Sequence, residues 1–224
     1  LDKNWADLTP ERKREKRFKR WLSPTDVKFS SLEAEKACKE RMTRFARALQ
    51  LSEPDRVPVT LSVGNFPAYY AGGSLRRNMY NYDELVHSWT KFLHDFAPDM
   101  DSFDGPGLGH SGRVLEILGY RLYKWPGHGL GPEVSHYQFV DSEYMMADEY
   151  DSLIKDPSGF ALRVLLPRVM TNLQPLQKLP SFVSLVNAPI RVAAPAVMPD
   201  FQAALSSLLD AGKEMAKWQE AIGI

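Results

Sequence analysis

Apolar residues recur at three- and four-residue intervals over most of this chain, and at two-residue intervals over short stretches. The run "ERKREKRFKRWL" is dense in charge but carries Phe18, Trp21 and Leu22 as a narrow apolar stripe. That spacing predicts an amphipathic helix, with Thr9 as its cap and Pro10 in its first turn. A second helix is predicted for "SSLEAEKACKERMTRFARALQ", where Ala34, Cys38, Met42, Phe45 and Leu49 share one face. Ser30 and Glu33 have capping-box spacing at its start. The period then changes. Val57, Val59, Leu61 and Val63 alternate, which predicts a strand with one buried face and Pro58 near its beginning.

A loop of small and aromatic residues follows, "GNFPAYYAGGS". Next, Tyr82, Leu85, Val86, Trp89, Phe92, Leu93 and Phe96 mark a helix. "DMDSF" has the length of a second strand. "SGRVLEILG" reads as a helix stopped by Gly119, and "YRLYKW" has strand composition. Helices are predicted up to Ile154, again after Pro157, and from Asp200, as a cap, to the end. Between them "LPSFVSLVNAPIRVAAPAV" is apolar and broken by proline, fitting either a loop or an interrupted helix. The order helix, strand, helix, strand, helix suggests an α/β fold with parallel strands and helical crossovers. Only two or three strands are evident, a narrow sheet.

The 224 residues suit one large domain or two small ones. Twenty-eight basic residues balance twenty-eight acidic ones, so no global field favours nucleic acid or an anionic membrane. No nucleic-acid or membrane partner is expected. The start reads as charged and carries no apolar leader core, and no run approaches the ~20 apolar residues of a membrane span. Cys38 is the only cysteine, which fits a reducing compartment and excludes an intrachain disulfide. A cytoplasmic protein is the expectation.

Four stretches, taken in order, resemble the uroporphyrinogen decarboxylase-like family. They are "KERMTRFARALQLSEPDRVPV", "DMDSFDGPG", "VLEILGYRLYKWPGHGLGP" and "EYMMADEYDSLIKDPSGF", together spanning roughly Lys39 to Leu166. The resemblance implies a (β/α)8 TIM barrel with its pocket at the carboxyl ends of the strands. Members are usually longer, so residues 30–224 are expected to form the N-terminal portion of such a barrel, preceded by a helical extension over residues 1–29. The expected partners are a small-molecule substrate, and the remainder of the barrel or a second chain, a homodimer included.

The family divides in chemistry. Its decarboxylases are lyases that remove acetate carboxyls from a tetrapyrrole without metal or cofactor. They use an aspartate that holds the pyrrole N–H groups and stabilises the protonated ring. Asp104, in "SFDG", is the nearest match and the candidate catalytic residue. A one-residue offset would shift the match to Ser102 or Asp101, and the plain alternative is a turn aspartate. The methyltransferase branch moves a methyl group between a corrinoid and an acceptor. It implies zinc and a corrinoid for the intact protein, with the ligands in the later half of the barrel; no cofactor is expected within this chain.

One departure bears on the choice. The decarboxylases carry an arginine-containing stretch after the first strand, whereas "VGNFPAYYAGG" has none. That favours a less charged substrate, with Asn65, Tyr69 and Tyr70 as substrate-binding candidates against simple loop packing. His110 and His128 sit in glycine-rich loops and are chemically fit as acid, base or ligand. Their spacing matches no metal pattern. A non-catalytic, partner-binding role is the competing class.

Overall fold

The computed structural model describes residues 5–25, 27–97, 100–106 and 111–223. The chain is mostly helical, with few and short strands, and among the described residues no barrel closes. It divides into two compact units, one of Leu1–Val63 with Asp95–Asp104, the other of Gly64–His94 with Gly105–Ile224.

In the first unit, α1 spans Pro10–Leu22 and α2 spans Leu32–Leu49. Thr9 caps α1 by accepting from the Arg12 amide, and Pro10 sits in the first turn, as its fixed φ favours. The cap of α2 is Ser31, which accepts from Ala34 N at 3.1 Å. The expected capping box begins one residue too early, because two adjacent serines offer the same hydroxyl and only backbone geometry chooses between them. The predicted strand over 57–63 shrinks to β1, Thr60–Leu61, and Val57 is exposed. Pro54 and Pro58 supply no amide donors to a ladder. β1 pairs in parallel with β2, Ser102–Phe103, in the register Thr60↔Ser102 and Leu61↔Phe103.

In the second unit, α3 spans Phe66–Tyr70, α4 Leu75–Tyr80 and α6 Gly112–Leu118. Helix α5, Tyr82–Phe96, begins here and turns its Leu85, Trp89 and Phe92 inward. Gly119 ends α6 in the left-handed region at φ 66°, where an added Cβ would lie 2.1 Å from Thr171 Oγ1. Only glycine fits both constraints. β3, Tyr123–Pro126, pairs antiparallel with β5, Gln138–Phe139, and flanks the short β4, Gly129–Leu130. Leu75, Met79, Leu115 and Trp125 form one core, against which Tyr80, Tyr120, Tyr123 and Tyr137 pack. Each such fully buried aliphatic side chain contributes about 1.5–3 kcal/mol.

After a 3-10 turn at Ala147–Glu149 come α7, Tyr150–Lys155, and a longer helix. The latter begins as α8, Pro157–Phe160, widens to a π segment at Ala161–Leu165 and ends as α9, Leu166–Val169. Pro167 has no amide to donate, and Leu166 N reaches back five residues to Ala161 O. The proline-broken stretch resolves into a helix, α10 at Phe182–Asn187, and a 3-10 segment at Pro189–Val197. α11 spans Pro199–Ile222. Asp200 lies inside its first turn rather than capping it, since Pro199 already has helical geometry. Its carboxylate pairs with Lys178 instead. Phe201 and Ala204 pack with Leu173 and Leu176 in a second core. Tyr82 Oη donates to Glu214 Oε1 at 2.7 Å, fastening α11 to the start of α5. No single helix among the described residues is long and apolar enough to cross a membrane.

Candidate functional site

The aspartates of "DMDSFDG" have different fates. Asp101, immediately before β2, has a fully buried side chain. Its Oδ1 accepts from Arg44 Nη1 and from Arg56 Nη2, the latter at 2.9 Å, and its Oδ2 accepts from Val59 N at 2.9 Å. The Asp101 amide returns a bond to Val59 O at 2.8 Å. Arg44, itself buried on α2, also grips Asp55 through Nε at 2.8 Å and Nη2 at 2.5 Å. Those hydrogen bonds hold the Asp55 carboxyl at about 2, well below its usual range. Asp101 therefore sets the register of the two strands and ties them to α2. With three hydrogen bonds already on its two oxygens and its side chain fully buried, it is a scaffold carboxylate.

Asp104 lies just past the carboxyl end of β2. Its amide donates to Leu61 O at 3.2 Å, extending the parallel ladder, while its side chain is exposed. Among the described residues its carboxylate has no hydrogen-bonding or ionic partner, so its lone pairs are available to donors from outside.

Asn65, Tyr69, Tyr70 and His128 all belong to the second unit, and Asp104 to the first. Asn65 Nδ2 donates to Ser135 O at 3.3 Å. Tyr69 Oη accepts from Leu75 N at 3.2 Å, closing the turn ahead of α4. Tyr70 stacks on Phe66 with centroids 5.4 Å apart, and Lys91 Nζ stands 4.8 Å above its ring. Both tyrosines remain partly exposed. His110 lies outside the described residues.

His128 occupies the turn between β3 and β4. Gly127 and Gly129 both take positive φ, 83° and 79°, which lets His128 N reach Trp125 O at 2.8 Å. The imidazole stacks on the indole of Trp125, whose Nε1 donates to Tyr80 Oη at 3.0 Å. Tyr80 in turn donates to Glu116 Oε1 at 2.5 Å. Glu116 Oε1 stands 3.9 Å from His128 Nδ1, and the Arg76 guanidinium lies 5.9 Å over the Tyr80 ring. Burial first, and then the bond to Glu116, push the Tyr80 phenol up to about 12, so it is a fixed neutral donor at ordinary pH. The imidazole and the carboxylate are each about half exposed. Together they set an imidazole and a carboxylate side by side over a buried aromatic ring, open to solvent.

Of this constellation only His128 was visible in the sequence. Tyr80, Glu116 and Trp125 come from α4, α6 and β3 and converge only in three dimensions. Among the described residues no group of three His, Cys, Asp or Glu side chains is placed to hold a metal ion. No family model matches the chain, and neither curated proteins nor solved structures give a match.

Proposed function

We propose that this chain is part of a uroporphyrinogen decarboxylase-like enzyme, with decarboxylation, a lyase reaction, as the leading activity. The observation that supports this reading is the parallel pairing of β1 with β2 across a helical connection. Two such strands are what the opening of a (β/α)8 barrel would contain, and such barrels carry their chemistry at the strands' carboxyl ends. Asp104 follows β2 directly, with a carboxylate free to accept N–H donors. In this reading it accepts hydrogen bonds from pyrrole N–H groups and stabilises positive charge on the ring as the acetate arm loses carbon dioxide.

A second reading, methyl transfer in the corrinoid-linked branch, is favoured by one feature. The segment after β1 offers Phe66, Tyr69 and Tyr70 and no arginine, poor company for a polycarboxylate. The described residues do not fit a zinc site, and no step through zinc is assigned to them.

The test is a pair of assays on the polypeptide that contains this chain. One measures carbon dioxide release from uroporphyrinogen; the other measures demethylation of a methyl-corrinoid by a thiol with added zinc. Asp104→Asn is expected to lower decarboxylation by about 10²-fold with the circular dichroism spectrum unchanged. Unaltered turnover removes Asp104 from the mechanism, and inactivity in both assays overturns the enzymatic reading.

A further inference from the structure

The first unit carries a groove that the proposed chemistry does not use. It lies between α1 and α2, encloses about 710 Å³, and is floored by Phe18, Trp21, Val27, Cys38, Met42 and Leu49. This floor is incompletely covered. Trp21, Val27 and Leu49 are 48%, 52% and 62% exposed, although each is a side chain that burial would stabilise. Helix α1 buries no residue fully. A two-helix layer with one apolar seam left open is an unfinished core.

The groove's polar lining has one sign. Arg14, Arg17 and Arg20 line it, and no acidic residue does among the described lining residues. The three arginines follow at intervals of three, so they rise along one side of α1 over about 9 Å, at 1.5 Å per residue. That length matches the i to i+7 anchors of an incoming helix. The rest of α1 strengthens the field, since it adds Arg12, Lys13, Lys16 and Lys19 against Glu11 and Glu15. The surplus is local, because the chain as a whole is neutral.

From this geometry we infer that the α1–α2 groove docks an acidic amphipathic helix of a partner protein. The partner's apolar stripe covers Trp21, Met42 and Leu49, and its flanking Asp or Glu residues pair with Arg14 and Arg17. Shape favours a helix over a lipid surface, because a concave seam admits a cylinder and leaves a flat bilayer bridging its rim. Charge favours an acidic flank, because a basic one would meet three like charges.

The experiment is fluorescence anisotropy on the full chain with a labelled synthetic helix of about four turns, leucine at i, i+3, i+4 and i+7 and glutamate flanking. Binding that weakens with salt is expected. The combined Arg14→Glu and Arg17→Glu variant should weaken it at least about tenfold, and so should Trp21→Ala, which truncates the apolar floor beside them. These are surface positions on a helix with no buried residue, and an unchanged thermal midpoint checks each variant's fold. If one variant loses its fold, the other decides. The inference is overturned if the peptide does not bind, or if charge reversal leaves binding intact. It is equally overturned if a serine-for-leucine peptide of the same charge binds as well, or if phosphatidylserine vesicles bind the chain while the peptide does not.

Discussion

The imidazole of His128 lies flat against the indole of Trp125, with ring centroids 4.1 Å apart and planes 8° from parallel. Trp125 is wholly buried while His128 is half exposed, so a solvent-facing ring rests on a core side chain. The orientation of that support depends on Tyr80, whose hydroxyl accepts a hydrogen bond from the indole N–H and donates one to Glu116.

Tyr80→Phe keeps the ring and removes the hydroxyl. The Trp125 N–H then loses its acceptor inside the core, and Glu116 loses its donor. The expected cost is about 1–3 kcal/mol, measured by urea unfolding. A variant as stable as the parent would show that this chain of hydrogen bonds contributes nothing to the fold.

Asp101 and Asp104 are three residues apart and should behave oppositely. Asp101→Asn keeps the shape but leaves Arg44 and Arg56 without their shared anion, so a loss of about 3 kcal/mol is expected. Asp104→Asn alters an exposed, unpaired side chain and should change stability by less than about 0.5 kcal/mol. Urea unfolding of both variants decides the matter. Equal losses, or a larger loss at Asp104, would refute the assignment of Asp101 as the scaffold carboxylate.

Glu149 accepts from Arg168 through both oxygens, Oε2 at 2.7 Å and Oε1 at 2.5 Å. Those bonds first, and then the Met146 amide, lower its carboxyl from 4.5 to about 2. A folded value below the unfolded one means that the stabilisation is complete above the unfolded value and is lost as pH falls toward the folded one. Arg168→Met should therefore be less stable than the parent at about pH 6, and the gap should narrow between pH 4.5 and about 2. Thermal midpoints across that range provide the measurement. A gap independent of pH would mean that lost packing, rather than the ion pair, explains the effect.

The helices were legible because their information is local. Thr9 with Pro10, the face of Leu85, Trp89 and Phe92, Gly119 as a stop, and Pro157 as a start each act within about a turn of chain. Where adjacent residues offered the same chemistry, as Ser30 and Ser31 do, the boundary slipped by one. The strands were overestimated for the opposite reason. Alternation from Val57 to Val63 states a preference, but ladder length depends on a partner elsewhere in the chain, and β2 supplies only two residues.

The sequence by itself determined that this protein is rich in amphipathic helices, neutral overall, and strongly basic along α1, because periodicity and charge are properties of the residues as written. Tertiary structure alone decided which aspartate of "DMDSFDG" is buried among arginines and which faces solvent. It alone joined His128 to Glu116 through Trp125 and Tyr80. The physical reason is that burial and hydrogen bonding across 36 or 57 residues, as between Tyr80 and Glu116 or Arg44 and Asp101, arise from chain segments meeting in space. No local pattern encodes that meeting.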